Sequence, residues 1–217
     1  MKKGFTILFL LAFCFSACSR RDFVKAEKDD FIGFKFFLFM EFNGEKFQAN
    51  GDGALMKDNF FKFRVYDNIL NKHVLSFFSH SEGVNRVFFP MDGVAYQSTD
   101  KLLSRIFVEC LYGLFYPVNG NQFKNNLEIN DFLVDNNWLD YIIIGYYGMD
   151  FKLEVMRRFD DGKPRRIRVI NEGDYMIFDI VRFQDLDFEL GDVGMPVYMP
   201  LIDRPFFHWL GEIYGRG

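Results

Sequence analysis

The chain has 217 residues, 26% of them charged, and a formal net charge of −4 at pH 7. This acidic balance excludes a protein built mainly to bind nucleic acid, and the length suits one domain or one large sheet. The 30 phenylalanines are the most unusual feature of the composition. They either fill an ordinary core or line an apolar pocket, and composition alone leaves both interpretations open.

The first 17 residues have the layout of an export signal. Lys2 and Lys3 supply positive charge, and residues 5–15 form an apolar run that is too short to span a bilayer as a helix. Residues 1–17 are therefore predicted to be a signal peptide and not a membrane anchor.

The residues around Cys18 resemble the lipobox of bacterial lipoproteins. Phe15, Ser16 and Ala17 place one bulky and two small residues before the cysteine, although leucine is usual where Phe15 stands. Cys18 is therefore expected to become the first mature residue and to carry a diacylglycerol and an N-acyl group such as palmitate, which together anchor a protein stably. A plain secretory signal, cut at another bond, is the alternative.

Residues 18–30 are charged and lack apolar periodicity, as expected of a tether between an anchor and a folded body. Removal of residues 1–17 would take away two lysines and no acidic residue, which lowers the net charge from −4 to −6. Cys14 would leave with them, so Cys110 would be the one unmodified thiol of the mature chain. No intramolecular disulfide is then expected, and the core and the sheet must hold the domain together.

Alternation of apolar and polar residues predicts a meander of six strands in the first half of the body. The predicted strands are 34–42, 45–56, 60–66, 73–78, 86–90 and 94–97. Asn43-Gly44 between the first two is a strong hairpin signal, because both residues tolerate the positive φ of a tight turn. Six strands in succession without a helix imply antiparallel pairing.

One helix is predicted after the sixth strand. Apolar residues recur at spacings of three and four over residues 103–114, Ser98 or Thr99 is expected to cap the helix, and Pro117 is expected to end it. Cys110 lies within the apolar stripe, which favours a buried, unreactive thiol over a catalytic one.

The second half returns to strands. Residues 117–137 are rich in Asn and Gly and are predicted to form a loop. Four strands follow at 141–147, 151–159, 165–170 and 175–183, and residues 196–217 are predicted to form an irregular C-terminal wrap. Residues 31–195 are thus expected to form a mainly β fold, an incomplete antiparallel β-barrel (half-barrel) of about ten strands covered by one or more helices.

The stretch KLEVMRRFDDGKPRRIRVINEGDYMIFDIVRF, residues 152–183, resembles the C-terminal hairpins of the LolA/LolB superfamily of bacterial lipoprotein carriers and receptors. The meander, the helix and the lipobox occupy matching places, so the resemblance covers most of residues 30–185. It implies a half-barrel that shields acyl chains in an apolar cavity and receives or inserts lipoproteins or lipids at the outer membrane of a diderm bacterium, on the periplasmic side. The predicted lipid anchor favours the anchored receptor, LolB, over the soluble carrier, LolA.

The resemblance implies a monomeric chaperone for lipid chains whose partners are lipoprotein acyl chains or phospholipid, the membrane and a periplasmic carrier protein. Neither a cofactor, a metal nor a nucleic acid is expected. Strand alternation and the helix stripe give the candidate residues of the cavity lining, and an error of one residue in strand phase would exchange the faces. These candidates are Phe36, Phe61, Phe63, Phe77 and Phe88 from the sheet, with Phe107 and Leu111 from the helix.

The stretch DNILNK, residues 67–72, places two apolar residues inside an otherwise polar turn. LolB carries a protruding apolar loop in the corresponding place, which delivers cargo into the membrane. The resemblance therefore implies a membrane-insertion role for Ile69 and Leu70. The alternative is that both side chains fold back onto the edge of the sheet.

No catalytic residue is expected. The three histidines stand far apart, and the chain has no HExxH, CxxC, GxSxG or phosphate-loop motif. Arg166 and Arg168 alternate with apolar residues, which favours a solvated strand face, with lipid headgroups or an anionic partner as the alternative. A second class of function also stays open, a non-enzymatic surface or periplasmic lipoprotein with a filled core that acts as a protein-interaction module.

Overall fold

A computed structural model describes residues 31–42, 44–119, 123, 128–146, 148–184 and 201–203. The predicted signal peptide, the acylated Cys18 and the tether lie outside these residues, as does the predicted C-terminal wrap apart from residues 201–203. Within the described part of the chain, no helix combines the length and the apolarity that a membrane crossing requires.

The described strands form one sheet of twelve, in the order β12-β6-β5-β4-β3-β2-β1-β11-β10-β9-β8-β7. The strands are β1 (Phe31–Phe42), β2 (Glu45–Met56), β3 (Phe60–Asp67), β4 (His73–His80), β5 (Val84–Phe89), β6 (Val94–Thr99), β7 (Ile129–Asp135), β8 (Trp138–Tyr146), β9 (Met149–Arg158), β10 (Pro164–Asn171), β11 (Asp174–Gln184) and β12 (Leu201–Asp203). Strands β1 to β11 pair antiparallel, and the three-residue β12 adds to β6 in parallel. The six-stranded meander is therefore confirmed, as is the mainly β class.

The strand β7 is a correction to the prediction, because it lies within the segment 117–137 that was expected to be a loop. Its pairing with β8 shifts register twice, between Ile129 and Asp131 and again between Leu133 and Val134. Each shift changes which residues face inward, so the sequence lacks the strict period of two that marks a strand.

One helix, α1, follows β6 and consists of three continuous segments. Lys101–Arg105 is α-helical, Ile106–Cys110 is π-helical and Leu111–Phe115 is α-helical. The helix and its apolar stripe are confirmed.

The ends of α1 are set by residues on either side. The N-cap is Asp100, whose side chain accepts a hydrogen bond from the Leu103 amide at 3.0 Å. The expected caps Ser98 and Thr99 are wrong, because both belong to β6. The helix ends where Tyr116 becomes extended, as the following Pro117 requires.

The sheet coils strongly around α1 without closing. The Tyr146 hydroxyl, at the end of β8, donates a hydrogen bond to Asp100 Oδ2 at 2.5 Å, just beyond the end of β6. Strands β6 and β8 are nine positions apart in the sheet, which would separate them by about 43 Å if the sheet were flat. The sheet therefore has an inner face that holds the helix and an outer face that points away from it, as expected of a half-barrel.

The inner face is built around a close contact between β1 and β2. Phe34 and Phe36 lie directly opposite Gly53 and Gly51 in the register. A Cβ atom added to Gly51 would lie 2.4 Å from the Phe36 ring and 2.4 Å from the Arg64 carbonyl oxygen. Both rings thus occupy the space that a side chain on β2 would fill, and Phe36 is 1% exposed as a result.

Candidate functional site

Aromatic rings from the sheet and the helix meet under α1. The Phe107 ring, from the π-helical segment, stacks on Phe61 of β3 with ring centroids 5.8 Å apart and planes 2° apart. The Phe77 ring of β4 lies 4.6 Å from the Phe107 ring. Three of the predicted lining residues therefore contact one another directly between the helix and the sheet.

The same contacts continue across the sheet toward β11. The Phe63 ring lies 5.4 Å from Phe77 and 6.4 Å from Phe36, and the Phe36 ring lies 5.2 Å from Phe178 of β11. Phe178 was not among the predicted lining residues, although its place in the alternating strand 175–183 carries the signal that would have found it. These rings, together with Leu111, which packs against the same buried core, form what we call the aromatic cluster: Phe36, Phe61, Phe63, Phe77, Phe107, Leu111 and Phe178.

Burial divides the aromatic cluster into two parts. Phe36, Phe61 and Phe77 are buried, whereas the other members are only partly buried, namely Phe63, Phe107, Leu111 and Phe178. Part of the aromatic cluster is therefore accessible to solvent. Because every member is apolar and none carries a titratable group, the arrangement can bind apolar chains but offers no acid, base or nucleophile.

Phe88 is placed elsewhere. It lies opposite Ser76, whereas its neighbour Val87 lies opposite Phe77. Since adjacent residues of a strand point to opposite faces, Phe88 belongs to the outer face, where its ring is 6.2 Å from that of His73. Because Val87, Phe88 and Phe89 are all apolar, the sequence does not show which of them faces inward.

The π-helical segment sets the position of Phe107 in the aromatic cluster. A π-helical turn is wider than an α-helical one and is often found at functional sites. Ile106–Cys110 provides such a turn in the middle of α1, and Phe107 is its second residue. No sequence pattern predicted this turn.

The start of α1 is fixed by a buried polar network. The Asn85 side-chain oxygen accepts hydrogen bonds from the Ser79 hydroxyl at 2.7 Å and the Ser104 hydroxyl at 3.1 Å. The Asn85 amide group donates to the Gly83 carbonyl at 3.2 Å and to the Asp100 carbonyl at 2.9 Å. This network joins β4, β5 and the helix, so the first turn of α1 is held by hydrogen bonds while its middle rests on phenyl rings.

Cys110 is buried on the helix, as expected, and burial raises the pKa of its thiol to about 12. In the unfolded chain the pKa of a cysteine is about 8.5, so above that pH the unfolded chain loses a proton that the folded chain keeps. The free energy of unfolding should therefore fall as pH rises above about 8.5, by up to about 1.4 kcal/mol per pH unit from this group.

Urea titrations at about pH 9 and about pH 10.5 check this expectation. The wild-type chain should lose more stability across this interval than a Cys110→Ala variant, in which the tyrosines still titrate but the thiol is gone. Equal losses in the two chains would contradict it.

The loop between β3 and β4 holds its two apolar residues in solvent. Asp67 Oδ1 accepts hydrogen bonds from the Ile69 amide at 2.9 Å and the Leu70 amide at 2.7 Å, and the Asp67 amide donates to the Lys72 carbonyl at 2.9 Å. Ile69 is 90% exposed and Leu70 is 63% exposed. The alternative in which these side chains fold back onto the sheet is therefore wrong.

The chain matches no protein-family model and no curated protein sequence. Several solved structures are similar at the level of the backbone. A LolA superfamily protein from Nitrosomonas europaea aligns with a TM-score of 0.49 at 11% identity, over 80% of this chain and 94% of that one. A domain described as an outer-membrane lipoprotein-sorting protein from Vibrio parahaemolyticus gives 0.46 at 11% identity, over 77% and 90%. A DUF1329 family protein from Desulfovibrio piger gives 0.41 at 12% identity, over 76% and 88%.

Proposed function

We propose that this chain is a membrane-anchored lipoprotein that binds acyl chains between helix α1 and the inner face of the sheet. The observation that supports the proposal is the aromatic cluster, which is buried at Phe36, Phe61 and Phe77 and only partly buried at Phe63 and Phe107. Such a surface takes up hydrocarbon without requiring a polar partner for it.

The energetics favour an apolar ligand of variable shape. Removing hydrocarbon surface from water stabilises the complex by about 25 cal/mol per Å², and phenyl rings supply large apolar areas with no polar group to desolvate. The middle of α1 contacts the sheet through rings, whereas its first turn is held by the Asn85 network. We therefore expect the π-helical segment to be the part of the helix that moves to admit a chain beside Phe107.

The remaining parts of the proposal place the domain at a membrane. An acylated Cys18 would hold it at the periplasmic side of the outer membrane of a diderm bacterium, and the exposed Ile69 and Leu70 would insert into the bilayer when cargo is delivered. The cargo would be the acyl chains of lipoproteins or of phospholipid, received from a periplasmic carrier protein.

A fluorescent fatty acid provides the direct test. We expect the full chain to bind it with an increase in fluorescence, and we expect Phe107→Asp to weaken binding by at least about tenfold, because a carboxylate would replace a ring in the apolar site. Phe37→Asp is the matched control, since Phe37 lies on the outer face and is 48% exposed. Mass spectrometry of the purified protein should also detect co-purified lipid.

A Phe107→Ala variant keeps the test valid if Phe107→Asp fails to fold, because alanine introduces no charge into the core. Binding by both Phe107 variants equal to that of the Phe37→Asp control would overturn the proposal. So would a folded wild-type chain that neither binds the fatty acid nor carries lipid.

A further inference from the structure

Most charged residues on the outer face of the sheet have partners of opposite sign. Arg64 Nε lies 2.8 Å from Asp52 Oδ1, and the guanidinium groups of Arg166 and Arg168 pair with Asp179 and Glu154. A strand face built in this way is close to electrically neutral, and it agrees with the solvated face predicted for Arg166 and Arg168.

Three cations on the same face break this pattern. Lys35, Arg157 and Arg182 are exposed, and no acidic side chain among the described residues forms an ion pair with them. Lys35 lies directly opposite Arg182 on β11 and opposite Asp52 on β2, and the Asp52 carboxylate pairs with Arg64. Arg157 lies directly opposite Arg166. Like charges in cross-strand register repel each other, so a further anion near Arg182 and Arg157 would be stabilising.

Large apolar side chains are exposed among these cations. Phe37 on β1 is 48% exposed, Val181 on β11 is 53% exposed and Met156 on β9 is 44% exposed. Val181 and Met156 are adjacent in sequence to Arg182 and Arg157, and Phe37 is two residues from Lys35. Together they form what we call the basic-apolar patch: Lys35, Phe37, Met156, Arg157, Val181 and Arg182.

We propose that the basic-apolar patch docks on the anionic phospholipid headgroups of a bilayer. The patch is locally positive on a chain whose formal net charge is −4, so its charge is complementary to an anionic leaflet and not to the rest of the protein. Its exposed apolar groups can enter the boundary between headgroups and acyl chains. Because the outer face of a coiled sheet curves outward, it suits a broad lipid surface better than a peptide, which needs a groove.

The position of the patch in the chain agrees with this partner. Lys35 is the fifth residue of β1, which begins at Phe31, directly after the predicted tether of residues 18–30. A lipid anchor would therefore hold the patch within reach of the bilayer. The docking lies on the opposite face of the sheet from the aromatic cluster, so it is an additional property and does not depend on acyl-chain binding.

Vesicle binding tests the proposal with a matched pair of variants in the full chain. Both carry Cys18→Ser to remove the acyl anchor, so residues 1–30 contribute equally to binding in each. The patch variant carries Lys35→Gln and Arg182→Gln. The control carries Lys57→Gln and Lys101→Gln, which neutralise two exposed lysines outside the patch. On vesicles of phosphatidylcholine mixed with phosphatidylglycerol, the patch variant should bind about tenfold more weakly than the control.

The difference between the variants should vanish on pure phosphatidylcholine and at high salt, because screening removes the contribution of exposed charges. Equal binding of the two variants to the anionic vesicles would overturn the proposal. Equal vesicle binding with a lowered melting temperature of the patch variant alone would overturn it too, because the patch charges would then stabilise the folded chain itself and not a contact with lipid.

Two measurements separate this proposal from acyl-chain binding. The patch variant should bind the fluorescent fatty acid as the control does, and Phe37→Asp should weaken vesicle binding while leaving fatty-acid binding intact. Phe107→Asp should do the reverse. A variant that changed both readings together would contradict the separation of the two faces.

Discussion

Replacing Gly51 by alanine is expected to lower the free energy of unfolding by about 3 kcal/mol, the upper end of the range for overpacked cores. The new Cβ atom would lie 2.4 Å from the Phe36 ring and 2.4 Å from the backbone oxygen of Arg64. The ring can rotate only by displacing its neighbours in the aromatic cluster, and the backbone oxygen can move only if β2 and β3 separate. The effect of one methyl group therefore spreads through the centre of the sheet.

The measurement is urea unfolding followed by circular dichroism, with Gly173→Ala as the control. Gly173 has no atom within 4 Å of its would-be Cβ, so its substitution should change stability by less than about 0.5 kcal/mol. A loss of stability for Gly51→Ala no larger than that for Gly173→Ala would show that the Phe36 ring does not occupy the space over Gly51.

The substitution Asn85→Leu is expected to cost about 4 kcal/mol, because it keeps the side-chain size but removes four hydrogen bonds from a buried site. The hydroxyls of Ser79 and Ser104 would lose their acceptor while remaining 0% exposed. The carbonyl of Asp100 would lose a donor at the point where α1 begins. The helix should therefore loosen from the sheet before the strands unfold.

A triple variant makes this prediction specific. Adding Ser79→Ala and Ser104→Ala to Asn85→Leu removes the two hydroxyls that would have lost their acceptor. Replacing both partners of a buried hydrogen bond lowers the free energy of unfolding far less than replacing one. The triple variant should therefore be more stable than Asn85→Leu alone, which urea unfolding measures directly. Asn130→Leu serves as the exposed control and should be nearly neutral. Additive losses in the triple variant would rule out the network as the cause.

Most of the fold could be predicted from local sequence patterns, which need only the residues of one strand or one turn. The meander was predicted because apolar side chains alternate without interruption along strands such as Phe60–Asp67, where Phe61, Phe63 and Val65 all point inward. The edge strand β7 was missed because its two register shifts are set by pairing with β8, and pairing is invisible in one segment read alone. The N-cap at Asp100 also depends on a partner, since Tyr146 of β8 holds that side chain.

The candidate site divides in the same way. Phe36, Phe61, Phe63 and Phe77 reach the inner face because regular alternation fixes their phase, and Phe107 reaches it because helical spacing does. Phe88 was assigned to the wrong face because a run of three apolar residues fits either phase. No pattern in the sequence predicted the π-helical turn of α1.

Among the strands that the structure describes, β1 is synthesised first, yet it lies in the interior of the sheet. Strand β1 lies between β2 and β11, and its Glu41 accepts a hydrogen bond from Tyr175, which is 134 positions later in the chain. During elongation β1 acquires β2 within a few residues, but its other edge stays open until the ribosome has released nearly the whole domain. Nascent chains therefore display a phenylalanine-rich strand edge for most of their synthesis, and we expect this edge to attract holdases and to make completion of the fold slow.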